Sequence, residues 1–185
     1  MRVVAGVAKG RKLKAPRTVA TRPILDRVKV ALFDILGDAV VDSVFLDLFA
    51  GSGSVGIEAL SRGAGKAVFV DTNPEAIRVI KDNLALTGLG DRARVIRIDA
   101  FRYLAQLQGQ FDVIYVAPPQ YKGLVVRTLR ALDDKGVLTD DGLVVTQEDP
   151  RERVELELHN LALVKERKYG NTLLGFYGLR AHNIF

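Results

Sequence analysis

The residues Gly51-Ser52-Gly53-Ser54-Val55-Gly56 have the spacing GxGxxG, directly after the apolar run Val44-Phe45-Leu46-Asp47-Leu48 and at the head of a helical pattern. Glycines at these positions let the backbone turn sharply and approach a ligand closely, and the spacing gains meaning from its place between a strand and a helix. Asp71 ends the next apolar run, 20 residues beyond Gly51, where a carboxylate accepts hydrogen bonds from ribose hydroxyls. A nucleoside-containing ligand is therefore expected. Asp47 narrows its chemistry. In a dinucleotide site the pyrophosphate lies over the glycine loop, and a carboxylate four residues upstream would repel it. A phosphate-free ligand carrying an ammonium group would be attracted instead.

S-adenosylmethionine meets that requirement. The string Asp47-Leu48-Phe49-Ala50-Gly51-Ser52-Gly53, with Asp71 closing the second strand and Asp99-Ala100 following the third, resembles the class I S-adenosylmethionine-dependent methyltransferases. By that resemblance Asp99 would accept from the adenine amino group, with Ala100 or Phe101 against the ring. The cofactor set is then Asp47, Phe49, Gly51, Gly53, Gly56, Asp71, Asp99 and Ala100.

A second constellation is Tyr115-Val116-Ala117-Pro118-Pro119-Gln120-Tyr121. Consecutive prolines cannot continue a ladder, so they hold a rigid, extended backbone at the strand end, where ligands bind in open parallel sheets. Methyltransferases acting on exocyclic base amines carry Asp or Asn, two prolines and an aromatic residue at this place, and the segment is similar to that motif. An exocyclic amine is a poor nucleophile because its lone pair is delocalised into the ring; acceptors for both N–H groups localise it, and the aromatic residue stacks on the flipped base. Here Ala117 supplies no side-chain acceptor and Gln120 no aromatic ring. A backbone carbonyl around Pro118 remains, and Tyr121 is placed one residue later for stacking. Ala117, Pro118, Pro119 and Tyr121 are the candidate catalytic segment. Asp112 and Tyr115 share the strand, but sequence does not place either to replace the acceptor.

The elements that must position these groups alternate. A helix capped by Asp26 carries Val28, Leu32, Ile35 and Leu36 before Gly37; strands are read at 44–48, 66–71, 94–98, 111–116 and 143–147, with helices at 53–62, from Asn73-Pro74-Glu75 to Gly88, at 101–107 and at 124–132. The stretches 163–169 and 172–179 read as two strands joined through Gly170-Asn171. This implies an α/β, Rossmann-like domain: a mostly parallel seven-stranded sheet wound on both faces, with an antiparallel C-terminal hairpin. Residues 2–5 and 11–15 are expected to pair as a small hairpin before Pro16.

At 185 residues the chain fits one domain. It contains no cysteine and two histidines, His159 and His182, both read as surface residues, so thiolate chemistry is excluded and no metal site is expected. No apolar run reaches the ~18 residues of a membrane helix and the first residues lack the core of a secretory signal; a cytoplasmic monomer is expected. The net charge of +5 is unevenly spread. Residues 1–29 hold nine basic residues against Asp26 alone, while the remaining residues hold 18 basic and 21 acidic ones. A basic N-terminal extension, 1–29, and a cofactor-binding domain, 30–185, are the expected division, with Lys9, Arg11, Lys12, Lys14, Arg22 and Arg27 meeting the phosphates of a nucleic acid.

The whole chain resembles the RsmD family of bacterial small-subunit ribosomal RNA guanine-N2 methyltransferases. The matching residues are Arg2-Val3-Val4-Ala5-Gly6, Gly10-Arg11-Lys12-Leu13, Thr21-Arg22-Pro23, Asp26-Arg27-Val28, Ala31-Leu32-Phe33, the Leu46–Gly53 loop, Gly56–Ala64 and Lys165–Gly170. The resemblance implies methyl transfer from S-adenosylmethionine to a guanine N2 amine of ribosomal RNA, on the free RNA or within the small subunit. Ala117 leaves a second reading, a cofactor-binding RNA-binding or assembly factor that has lost the chemistry. A nicotinamide dinucleotide oxidoreductase is disfavoured by Asp47 and by the lack of a suitable acid or base.

Overall fold

A computed structural model describes residues 1–18 and 23–180. Seven strands, β1 (Val44–Asp47), β2 (Lys66–Asp71), β3 (Ala93–Arg97), β4 (Phe111–Val116), β5 (Leu138–Glu148), β6 (Leu161–Tyr169) and β7 (Thr172–Leu179), form one sheet in the order β3-β2-β1-β4-β5-β7-β6. The first five pair in parallel, and β7 runs antiparallel to β5 and β6. The helices are α1 (Asp26–Leu36), α2 (Ser54–Ser61), α3 (Pro74–Thr87), α4 (Ala100–Gln106) and α5 (Leu124–Asp133). This is the doubly wound, Rossmann-like sheet expected from the alternating pattern.

The core lies on both faces of the sheet. On one, Phe45, Phe69 and Phe176 pack with α1, α2 and α3; on the other, Leu46, Leu48, Ile114 and Val144 pack with α4 and α5. Burial on two faces is why β1, β2 and β4 read as nearly continuous apolar runs. Because β1, β2, β3 and β4 are parallel, the loops after them open on the same edge, and the direction of winding reverses between β1 and β4, the usual place for ligands in such sheets.

Three expectations are corrected. The N-terminal hairpin reduces to a single bridge, Arg2 to Lys12. Its remaining backbone donors are consumed elsewhere: Val4 and Ala5 N–H groups donate to the Glu58 carboxylate on α2, both at 2.9 Å, and Val7 N–H donates to the Ser61 carbonyl. Val3, Ala8 and Leu13 are buried in the core, and the boundary drawn at residue 29 falls inside α1, so the basic segment is built into the domain's packing. Second, α1 begins at Asp26 with Leu25 as its N-cap, and Asp26 instead pairs with Arg2 at 3.3 Å. Third, β5 starts five residues earlier than 143. Asp140-Asp141-Gly142 has turn composition, and the strand passes through it with a register irregularity opposite Phe111 and Val113. A Cβ on Gly142 would stand 3.0 Å from the Phe111 and Thr139 carbonyl oxygens, so glycine is what allows the irregularity.

Lys29, the last of the nine basic residues in the 1–29 segment, is fully buried. Its Nζ lies 3.3 Å from Glu58, 2.9 Å from Ser54 Oγ and 2.6 Å from the Arg2 carbonyl. It joins the N-terminal segment, α1 and α2 into one unit. No helix among the described residues is long and apolar enough to cross a membrane.

Candidate active site

Two adjoining cavities open at the C-terminal edge of the sheet. The larger, about 280 Å³, is walled by Leu48, Phe49 and Gly51 after β1, Asp71 and Asn73 after β2, and Ile98, Asp99, Ala100 and Phe101 after β3. Pro119 and Arg127 close one side; Pro16 and Thr18 of the N-terminal segment close another. The smaller, about 50 Å³, shares Pro16, Phe49 and Gly51 with it and is lined by Asp47, Tyr115, Ala117 and Gln147.

The strand ends and caps fix the carboxylates. Gly51, at φ +57°, turns its N–H onto Asp71 Oδ2 at 2.9 Å, and Asn73 N–H donates to Asp71 Oδ1 at 2.9 Å. Each oxygen keeps further acceptor capacity toward the cavity. Asn73 caps α3 through Glu75 N–H. Asp99 caps α4, its Oδ1 accepting from Phe101 and Arg102 N–H, while no described residue donates to Oδ2. Phe49 and Phe101 meet edge to face at 6.5 Å, and the Arg127 guanidinium lies 3.7 Å from the Phe101 ring centre.

Asp47 is 1% exposed and accepts one hydrogen bond, from Gly56 N–H at 3.1 Å. Burial pushes its carboxyl up to about 8, against the opposing Gly56 hydrogen bond and with help from the Asp71 charge. A carboxylate in this position is short of a cation. Tyr115, also buried, donates its hydroxyl to Gln147 Oε1 at 2.6 Å, and burial, followed by the charge of Asp47, raises its phenol above the ordinary value.

Of the expected cofactor residues, Asp47, Phe49, Gly51, Asp71, Asp99 and Ala100 line these two cavities. Gly53 and Gly56 do not. A Cβ on Gly56 would lie 2.4 Å from the Phe69 ring, so this glycine brings α2 against β2, and one on Gly53 would press on Ile80 of α3 at 3.2 Å. Both shape the turn from behind.

The segment after β4 divides. Ala117 lines the smaller cavity and Pro119 the larger; Pro118 is buried and lines neither. Tyr121 also lies outside both. It takes φ +59°, an uncommon conformation for a tyrosine, and is pinned to the turn after β5: its hydroxyl donates to Asp149 at 2.6 Å and accepts from Arg151 at 2.7 Å, and its N–H donates to Glu152. The residue is 59% exposed at the rim. Asp112, by contrast, serves the fold, accepting from Val44 N–H and Thr139 Oγ1.

Lys9, Arg11 and Lys12 are exposed on the turn between Val3 and Leu13. Lys14 is exposed but ion-paired with Asp82 at 3.0 Å, and Arg27 is exposed at the start of α1 beside the Gly170 turn. Arg22 lies outside the described residues, as does His182; His159 is exposed. Sequence reasoning missed the strap 14–18, whose Arg17 and Thr18 N–H groups and Thr18 hydroxyl donate to Glu75. It also missed Arg127 and Gln147. A period-two reading of β4 puts Tyr115 on the face of Ala117, but Gln147 reaches the site only through strand pairing.

The family described as Conserved hypothetical protein 95 matches residues 1–178. Ribosomal RNA small subunit methyltransferase D of Escherichia coli K12 is 34% identical over 177 residues, covering 96% of this chain and 89% of its own. YlbH of Bacillus subtilis is 37% identical over 183 residues, 97% of this chain and 100% of its own. The structure of yhhF from Escherichia coli superposes with a TM-score of 0.88 at 33% identity, over 98% of each chain. The sheet order, the glycine turn with its carboxylates and similarity that runs nearly end to end lead to one conclusion: the chain belongs to the RsmD family of methyltransferases.

Proposed function

We propose that the protein transfers the methyl group of S-adenosylmethionine to the exocyclic N2 amine of a guanine in small-subunit ribosomal RNA. The observation that carries this reading is the contact between an acidic, nucleoside-sized cavity and the Ala117-Pro118-Pro119 turn. The donor set suits this cofactor. Asp71 and the unused Oδ2 of Asp99 are acceptors for ribose and adenine, Asp47 wants an ammonium group, and the Arg127 guanidinium on the wall is engaged with Phe101. When bound, the cofactor supplies an electrophilic methyl group on a sulfonium. The chain holds it under Pro16 and Thr18, presents Pro119 on the wall of the larger cavity and Ala117 on that of the smaller, and keeps Lys9, Arg11, Lys12 and Arg27 for RNA phosphates. The base must leave its stack to enter so small a site. Ribosomal RNA small subunit methyltransferase D of Escherichia coli, similar over nearly the whole chain, supports the choice of RNA.

Ala117 favours a second reading, in which the cofactor and RNA are bound without transfer. Calorimetric titration tests the cofactor: binding of S-adenosylmethionine with none of NADH is expected, and the reverse would refute the proposal. Transfer of label to small subunits separates the two readings.

A further inference from the structure

We infer, on the methyl-transfer reading above, that the carboxamide of Gln147 is the side-chain acceptor for the target amine, held in position by the hydroxyl of Tyr115. The register places it. In the parallel pair β4 and β5, Tyr115 lies beside Val145 and Val116 beside Thr146, so the next step puts Ala117 beside Gln147. In the pair β1 and β4, Asp47 lies beside Tyr115. Side chains alternate along strands, so Asp47, Tyr115, Ala117 and Gln147 share one face, and all four line the smaller cavity.

The methyl group of Ala117 leaves open the space that an asparagine or aspartate there would fill. Gln147, one methylene longer than asparagine and rooted on the neighbouring strand, offers its carbonyl into that space. The orientation of the amide is set by its partner: Tyr115 donates to Oε1 at 2.6 Å, and a buried phenol beside an acid stays protonated and remains a donor. A carbonyl oxygen has two lone pairs, so Oε1 retains one for an N–H of the substrate. With the backbone carbonyl of the proline turn taking the other N–H, the amine lone pair is directed at the methyl group. The nitrogen–carbon bond forms as the carbon–sulfur bond breaks, the electron pair of that bond stays on sulfur, and the extra amine proton leaves to water. A carboxamide accepts the hydrogen bond and never the proton. Tyr115 is a positioning residue, because it acts through Gln147.

The test uses the full chain, S-adenosylmethionine and small subunits from a strain lacking the endogenous activity, with single-turnover transfer, cofactor affinity by calorimetry and subunit affinity by filter binding as readouts. Gln147→Ala should slow transfer about 10²- to 10³-fold, the usual effect of deleting one preorganised hydrogen-bond partner, with both affinities within about twofold of wild type. Adding Ala117→Asn to Gln147→Ala should restore about tenfold or more, since it returns an acceptor to the same space. Tyr115→Phe should slow the wild type about tenfold and have no further effect in the Gln147→Ala background. Wild-type transfer by Gln147→Ala, or a defect confined to cofactor affinity, overturns the assignment alone. A wild-type chain that transfers nothing overturns the methyl-transfer reading beneath it.

Discussion

Asp47→Asn should stabilise the unliganded protein, and by a margin that grows with pH. The Asp47 side chain is 1% exposed, has one hydrogen-bond donor, Gly56 N–H, and feels the charge of Asp71; its carboxyl is pushed from 3.8 to about 8. In the unfolded chain the group loses its proton near pH 4, and in the folded one near pH 8. Between those values the folded state binds one more proton, so stability falls as pH rises, by ~1.4 kcal/mol per unit, toward a ceiling on the order of 5 kcal/mol. Asparagine keeps an acceptor for Gly56 and carries no charge. Urea unfolding of both proteins at pH 5, 7 and 8.5 should show the wild type losing several kcal/mol relative to Asp47→Asn across the range. Stability curves that run parallel would refute the reasoning. The same ionisation reaches function. A bound ammonium requires the carboxylate, so between pH 5.5 and 7 the wild-type affinity for S-adenosylmethionine should rise about tenfold per unit, and that of Asp47→Asn should stay flat.

Single-stranded ribosomal RNA bound through Lys9, Arg11, Lys12 and Arg27 should show log affinity falling with log salt at a slope near −3, and Arg11→Ala should reduce the slope by about 0.7; an unchanged slope in all four alanine variants would argue against this surface. Glu75 accepts from Arg17 and Thr18, which holds its carboxyl below the usual range and fixes the strap over the larger cavity. Glu75→Ala should weaken S-adenosylmethionine binding about tenfold by calorimetry, and the wild-type contact, present above pH 4.5, should be lost as pH falls through the lowered value. Lys29→Met removes one of the two cations paired with the buried Glu58, Arg62 remaining at 2.9 Å, and leaves the Arg2 carbonyl and Ser54 hydroxyl without their Nζ donor, a cost of up to about 3 kcal/mol in urea unfolding.

Legibility from sequence followed the range of the interaction. The strands β1, β2 and β4 announce themselves because burial on both faces makes them continuously apolar, and α3 carries its own Asn73 cap and Gly88 stop. Asp47, Asp71, Asp99 and Gly51 are legible because a strand–turn–helix unit fixes them locally. What escaped depends on partners far along the chain. The N-terminal pairing stops at the Arg2–Lys12 bridge because Glu58, more than 50 residues away, takes the Val4 and Ala5 donors, and the same residue holds Lys29 as a buried tie. Gln147 stands beside Ala117 only once β5 has paired with β4. Tyr121 has the right composition for a stacking residue, yet Asp149, Arg151 and Glu152 hold it at the rim.

The central claim is the chemistry at the meeting point of the two cavities, and one measurement addresses it directly. Small subunits from a strain lacking the endogenous activity are incubated with the protein and tritiated S-adenosylmethionine, and the RNA is digested to nucleosides. Label that co-elutes with N2-methylguanosine, and whose initial rate of incorporation falls about 10²- to 10³-fold with Gln147→Ala, is the predicted result. Label in another nucleoside, or none with a protein that binds the cofactor, would contradict it.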